Sequence, residues 1–265
     1  MGYPVAFEAS ADDLDFICNG EEIVTIGIME HLEPAGVHSG DAISIGGPGI
    51  PDKKLRDNAI HIASLLSREF SLKGFANLQF MEKNGDIYII ELNSRASRTI
   101  PIMAKHSGQH WVETGTSVIM GAKLAQIKNE DKDYFAKIPV FPFDRYPDSE
   151  IELGPEMKST GEAMVSGATL EELKRNMIQE LSMTRRILLF EENQSRIHSH
   201  GKSRVIPEKE AIKMLDTHEG LTVYCPSVEK SREIRRKCVE RDIPLIMEKK
   251  VLTFLYPDIE EIVTN

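Results

Sequence analysis

The sequence is poor in cysteine, with only Cys18, Cys225 and Cys238 in 265 residues. An odd number without metal-type spacing argues against a disulfide framework and against a cysteine zinc site, and the expectation is a reduced, cytoplasmic protein. Aromatic residues make up 6% of the chain and tryptophan occurs once, so a core has to be assembled chiefly from Leu, Ile and Val. Positive charge is also short: 32 Lys and Arg against 42 Asp and Glu leave a net charge of −10. No dense basic block offsets that balance. A generic nucleic-acid or anionic-membrane surface is therefore disfavoured, while a local anion pocket stays compatible with it. No apolar run reaches the ~18 residues of a membrane span, and Met1 is not followed by the charged-then-apolar pattern of a signal peptide. Internal repeats, low-complexity tracts and a Gly-x-Ser-x-Gly nucleophile elbow are missing as well.

What is present suffices for a sizeable core: 41% of residues are hydrophobic and 28% charged, which fits one large or two modest domains. A helix is expected over about Asp52–Phe70, where Leu55, Ala59, Ile62, Ala63, Leu66 and Phe70 recur at helical spacing after a Pro51-Asp52 start. A second, over about Gln109–Leu124, is weakened by Gly115 and Gly121. Polar residues 126–135 then lead into the proline-studded stretch 138–162, read as a loop-rich connection at the domain margin, with units 1–164 and 165–265. In the second unit, TLEELKRNMIQEL reads as a helix capped by Thr169 with Glu172 three residues on. RILLF, LTVYC, PLIM and VLTFLY read as strands, with PEKEAIKMLDTH and VEKSREIRRKCVERD as helices between them, a small α/β unit.

The chemically richest segment is ANLQFMEKNGDIYIIELNSRASRTIP, residues 76–101. Asn84-Gly85 marks a hairpin turn. Alternation sets Leu78 and Phe80 on one face of the first arm and Tyr88, Ile90 and Leu92 on one face of the second. Whether Gln79 shares a face with Glu91 and Asn93 depends on parity: an odd turn unites them and a two-residue turn separates them. United, they form a set of hard oxygens suited to a Mg²⁺ that substrate phosphates also hold, with Arg95 and Arg98 just beyond to meet an anion. The same pattern also fits a solvated hairpin face with ordinary surface arginines.

A second candidate is EHLEPAGVHSGD, in which Gly36 and Gly40 bracket His38 and Ser39. Small residues there would let amides approach a phosphate, although a turn with a local His–Ser bond fits as well. GGPGIP lacks the Lys-Ser/Thr of a phosphate loop and reads as a plain loop. His198 and His200, in ENQSRIHSHGKSR, read as part of a solvated loop. Met103, Met120 and Trp111 read as core filler.

Taken together, GIMEHLEPAGVHSGD, NLQF, IYIIELNSRASRTIP, VFPFD and LGPEMKSTGE resemble the second, carbamate-phosphorylating ATP-grasp half of the carbamoyl-phosphate synthase large chain, over about Asp13–Met164. The resemblance implies an α+β fold, the C-terminal part of an ATP-grasp domain built as an antiparallel sheet with packed helices, followed by a small α/β domain of the type that is regulatory in that family. It implies ATP with Mg²⁺ or Mn²⁺: Gly36, Val37, His38 and Ser39 as nucleotide contacts, and Gln79, Glu91 and Asn93 as metal ligands, the first two touching nucleotide too. Arg95 and Arg98 become the catalytic clamp on phosphate and carbamate. The implied substrate is carbamate or bicarbonate, and the implied partners are the remainder of the large chain and a glutamine amidotransferase small chain.

Three departures stand against the family pattern. Ser94 replaces a proline, and Ala11 occupies the position of a ribose-contacting acid, with Asp12 or Glu8 as neighbours that could serve. The resemblance implies that the first ATP-grasp subdomain would lie upstream of Met1, so an N-terminally truncated, non-catalytic paralogue or interaction subunit is the alternative expectation. An unrelated hydrolase with Glu91 as base lacks a second carboxylate on the hairpin and ranks last.

Overall fold

The computed structural model describes residues 10–127, 132–143, 145–146, 151–183, 186–190, 195–199, 202–217, 220–226 and 232–259. Seven strands form the first sheet: β1 (Ser10–Asn19), β2 (Ile23–Pro34), β3 (Ser44–Gly46), β4 (Lys73–Lys83), β5 (Asp86–Asn93), β6 (Tyr134–Val140) and β7 (Gly161–Gly167). They lie in the order β5-β4-β1-β2-β3-β6-β7, every neighbouring pair antiparallel. The stretch expected as a loop-rich connection thus begins inside a strand, because Ile138 and Ala136 are buried in the sheet while Pro139 pairs with Glu162.

Helices cover both faces. Helix α1 (Lys53–Glu69) starts where Asp52 accepts from the amides of Lys54 at 2.8 Å and Leu55 at 3.1 Å, a cap worth about 1 kcal/mol. It lays Ala59 and Ala63 on Leu14, Phe16, Ala76, Leu78 and Phe80. Phe70, expected on this stripe, lies one residue past the helix and is 62% exposed. The other face carries α2 (Ile100–Ser107) and α3 (Trp111–Ile119), which pack Ile102, Met103, Trp111 and Val118 on Ile17, Ile26, Met29 and Phe135. The helix expected over 109–124 is thus present but shorter, α3 ending at Ile119, and α2 is an additional helix before it that closes on Gly108 in the left-handed conformation. Trp111 and Met103 are core residues as expected; Met120, past the end of α3, is 82% exposed and is not.

The turn of the β4–β5 hairpin holds two residues, Asn84 (φ 57°) and Gly85 (φ 88°), with Lys83 opposite Asp86. By turn parity alone Gln79 and Glu91 would part. Between Phe80, opposite Ile89, and Gln79, opposite Glu91, the ladder shifts by one residue, and Ile90 is the extra one. This bulge restores the parity that the turn withholds. It also splits the apolar set expected on β5: Leu92 stays opposite Leu78, whereas Tyr88 and Ile90 are 47% and 41% exposed.

After β7, α4 (Leu170–Glu180) is capped by Thr169, whose hydroxyl accepts from Glu172 N at 3.1 Å, while the Glu172 carboxylate accepts from Ala168 N at 3.0 Å. The second sheet has the order β10-β9-β8-β11-β12, from β8 (Ile187–Phe190), β9 (Ser195–Ser199), β10 (Lys202–Ile206), β11 (Thr222–Tyr224) and β12 (Leu245–Ile246). Strands β8, β11 and β12 are parallel, with α5 (Glu208–Thr217) and α6 (Arg232–Glu240) in their connections. Two expectations fail here. VLTFLY is not a strand: it lies in α7 (Lys249–Leu255), where Val251, Leu252 and Leu255 recur at helical spacing and are buried. The polar run holding His198 is not a solvated loop but the β9–β10 hairpin; His198 is 2% exposed and its Nδ1 lies 2.9 Å from Ser203 Oγ. His200 and Glu8 lie outside the described residues.

One hydrophobic cluster spans both sheets, joining Leu32, Ile45 and Ile138 of the first to Leu173 and Met177 of α4, Ile187 and Leu189 of β8, and Leu252 and Leu255 of α7.

Candidate active site

On the α2/α3 face of the first sheet, the cross-strand register lines up polar residues where apolar ones would be ordinary. Asp13 faces Gln79 and Asp15 faces Asn77 across β1–β4; Gln79 faces Glu91 and Asn77 faces Asn93 across β4–β5. Because opposed residues in a ladder share a face, two acids of β1, two amides of β4 and the ligand candidates of β5 converge. Lys137 of β6 and Glu162 of β7 close the far side of a cavity of about 260 Å³. Its wall includes His38, Ser39 and Gly40 from the β2–β3 loop, and Arg95, Ser97, Arg98 and Thr99 between β5 and α2. That volume is below the roughly 300–1,000 Å³ of whole small-molecule sites; it suits a phosphate tail or a small anion.

Of the residues singled out in the sequence, Glu91, Asn93, Arg95, Arg98, His38 and Ser39 meet at this cavity. Gly36 and Val37 do not line it, and Asn77 rather than Gln79 forms its wall, although Gln79 sits directly opposite Glu91. The loop at His38 also differs from an amide cradle. The His38 amide donates to Gly154 O at 2.8 Å, and the Gly40 amide donates to His38 Nδ1 at 3.0 Å, which caps a short 3-10 turn over Ser39–Asp41. Those amides are consumed internally, so the loop offers the His38 ring and Ser39. Asp41 fixes it from below, accepting from the amides of Lys158 and Ser159 at 2.8 Å each.

Buried polar contacts set the electrostatics. Asp13 Oδ2 lies 2.9 Å from His31 Nε2, both side chains being almost wholly buried. Burial pushes the Asp13 carboxyl up, but His31, Lys137 and Asn77 outweigh it and hold it below the usual carboxylate range. Asp15 accepts from Asn77 Nδ2 at 3.0 Å and from the Thr99 hydroxyl, yet burial raises it to about 6. Burial likewise raises Glu162, against the pull of Lys137 and Arg98; Arg98 Nε is 3.1 Å from the Glu162 carboxylate. Lys137 is held by Ser39 O at 2.6 Å. Among the described residues Arg95 donates to its neighbour Ala96 O at 3.2 Å and is exposed, which leaves it available to an incoming anion.

The donor set fits a hard cation. Glu91 accepts from Asn93 Nδ2 at 2.7 Å, presenting carboxylate and amide oxygens at one wall. Elsewhere on the lining, two strands away on β1, Asp13 Oδ1 is buried without a hydrogen-bond partner. Among the described residues no three His, Cys, Asp or Glu side chains gather as a self-sufficient metal site. Such a cation would be shared with phosphate oxygens, as is usual for Mg²⁺.

Sequence reasoning assigned no site role to Asp13, Asp15, His31, Asn77, Lys137, Met157 and Glu162, although alternation already sets Asn77 on the face of Gln79. The available signal was an Asp-x-Asp alternation inside an otherwise apolar strand, mirrored by Asn77-x-Gln79.

Comparison with known proteins points the same way. Residues 18–127 match the family described as carbamoyl-phosphate synthase L chain, ATP binding domain. A carbamoyl phosphate synthase large chain of Thermoplasma volcanium is 40% identical over 228 residues, covering 86% of this chain and 21% of that one. The large chain of Clostridium beijerinckii is 40% identical over 166 residues, 60% of this chain and 16% of its own length. The chain therefore spans about a fifth of the curated relatives it matches. Among solved structures, the biotin carboxylase subunit of pyruvate carboxylase superposes with a TM-score of 0.51 at 12% identity over 65% of this chain and 45% of that one. A Campylobacter jejuni biotin carboxylase gives 0.50 at 14% identity over the same shares. At such identity the likeness speaks for the ATP-grasp fold alone.

Proposed function

Because the chain is a relative of the carbamoyl-phosphate synthase large chain, we propose that it contributes the metal and phosphate wall of an ATP-dependent site that phosphorylates carbamate. The observation that carries this reading is the bulge at Ile90, which sets Glu91 and Asn93 beside Arg95, Arg98, His38 and Ser39 around one cavity. Phosphoryl transfer asks a protein for in-line positioning and charge neutralisation and for little covalent chemistry. Glu91 and Asn93, with Gln79 behind them, would hold Mg²⁺ or Mn²⁺, which supplies charge neutralisation on the triphosphate. Arg95 meets the transferred phosphoryl group. Arg98, steadied by Glu162, faces the carbamate anion, and His38 and Ser39 touch the nucleotide. Gly36 and Val37 shape the loop that carries them.

The partners that fit this reading are the remainder of a large chain, supplying the other ATP-grasp subdomain, and a glutamine amidotransferase small chain that delivers ammonia; the setting is cytoplasmic. Among the described residues no helix is long and apolar enough to cross a membrane. We place the functional division between 1–164 and 165–265, the latter a regulatory α/β unit. Calorimetric titration with Mg·ATP tests the proposal, on this chain alone and with an upstream large-chain segment supplied in trans. Binding in the second arm that Glu91→Gln abolishes is expected; no binding in either arm sinks the reading.

A non-catalytic interaction subunit is the second reading, favoured by the apolar side chains that α3 leaves in solvent, Val112 at 57%, Ile119 at 50% and Met120 just beyond. Under it, Glu91→Gln leaves the biological role intact.

A further inference from the structure

One lysine of the second unit reaches into the strand that carries the buried histidine of the site. Lys250, on α7, donates to Glu30 Oε1 and to the His31 carbonyl, both at 2.9 Å. The second bond is unusual because His31 lies inside β2, where a carbonyl is ordinarily taken by the neighbouring strand. The register explains it. From Glu30 opposite Asp12 to Pro34 opposite Ser10, β2 advances four residues while β1 advances two, so the ladder is interrupted where His31 sits. Leu32 N donates toward β3, to Ile43 O at 2.8 Å. The preceding carbonyl, that of His31, therefore points to the other side, toward the interruption, where it accepts from the ammonium of Lys250.

From that peptide the His31 ring runs through the sheet to Asp13 Oδ2 at 2.9 Å, and Asp13 forms part of the cavity wall. A continuous path thus links α7, the Lys250 ammonium, the His31 peptide, the His31 ring, Asp13 and the cavity. On the other side of the same peptide, Leu32 packs in one cluster with Val251, Leu252 and Leu255 of α7. The apolar contact fixes where α7 lies; the ammonium fixes where the His31 peptide lies.

We propose that Lys250 is a positioning residue: by filling the gap in the β1–β2 ladder it sets the His31 peptide, and through the His31 ring the orientation of Asp13 in the cavity, so that the C-terminal unit controls the geometry of the site. This deepens the reading of the cavity as an anion and metal site, but its geometric content holds whichever anion enters.

The test is spectroscopic and independent of nucleotide binding. In the full-length chain, the His31 imidazole cross-peaks, assigned by their loss in His31→Gln, should be displaced in Lys250→Met while far-UV circular dichroism is retained. Leu252→Ala loosens the packing of α7 but keeps the ammonium, so it should lower the melting temperature and leave those peaks in place. Glu30→Gln, which removes only the side-chain partner, should also leave them. Unmoved His31 peaks in folded Lys250→Met, or equal displacement in all three variants, overturns the proposal. If Lys250→Met does not fold, the wild-type chain decides: slowly exchanging Lys250 ammonium protons with a nuclear Overhauser contact to the Leu32 amide support the strut, and a freely exchanging ammonium without it overturns it. Failure of the Mg·ATP titration with the His31 response intact would remove the proposed activity and leave the strut standing.

Discussion

Asp13 is the residue on which the electrostatics of the cavity turn, since it holds the buried His31 ring and leaves an unpartnered oxygen at the wall. Asp13→Asn disturbs the buried contact with His31, and upsetting a buried hydrogen-bonded group costs about 1–3 kcal/mol; urea denaturation of the variant should show a loss of that size. Glu33 behaves differently. Its carboxylate accepts from Ile43 N at 2.7 Å, and burial pushes it from an ordinary 4.5 up to about 8. The native state therefore keeps a proton that the unfolded chain has already released, so stability present below pH 4.5 is lost as pH rises through about 8. Glu33→Gln keeps an acceptor for Ile43 and removes the titration. Its denaturation midpoints should vary less over that interval, with a gain of a few kcal/mol at the alkaline end. Burial and Glu30 lift Asp12 to about 8 as well, so a residual slope of the same sign should remain. The side chains of the Glu91-to-Arg98 run were legible in the sequence because they sit on one hairpin and its exit. Asp13, His31 and Lys137 were not: the partner of each lies on another element, 18 residues away for Asp13 and His31 and 98 for Lys137 and Ser39.

At the level of elements, α3 meets β4 more closely than its composition suggests. A Cβ built on Gly115 would come within 2.1 Å of the Phe75 ring. The glycine that weakens the helix on propensity grounds is thus what lets the helix approach the sheet. Gly115→Ala should destabilise by about 1–3 kcal/mol despite its better helix propensity, read from the urea midpoint. The start of α1 was visible from its cap and stripe, as was α4 from Thr169 and Glu172. The bulge at Ile90 was not, because an extra residue in a ladder carries no local mark in a β-rich run; only the opposing strand reveals it. VLTFLY reads as a strand by content, and only the burial of Val251, Leu252 and Leu255 against β2 and α4 settles it as helix.

For the molecule as a whole, the proline-rich stretch suggested a seam, yet the cluster from Leu32 to Leu255 runs through both sheets. Composition marks where a chain turns and says nothing about which faces it later joins. Scanning calorimetry should accordingly show one cooperative transition, and Leu252→Ala, at a fully buried site, should lower the stability of both sheets together by about 2–5 kcal/mol. Residues 1–164 expressed alone should lack native-like cooperativity, since that fragment cuts β7 and strips the cluster of α4 and α7. The bulge at Ile90 also bears on how copies of the chain meet one another. Among the described residues strand β5 is the outer edge of the first sheet, with exposed Tyr88, Ile89 and Ile90, the sort of rim on which a second strand could grow into an aggregate. An extra residue in that rim breaks its regular donor–acceptor spacing. The distortion that sets Glu91 opposite Gln79 therefore also makes the edge a poor template for intermolecular sheet growth.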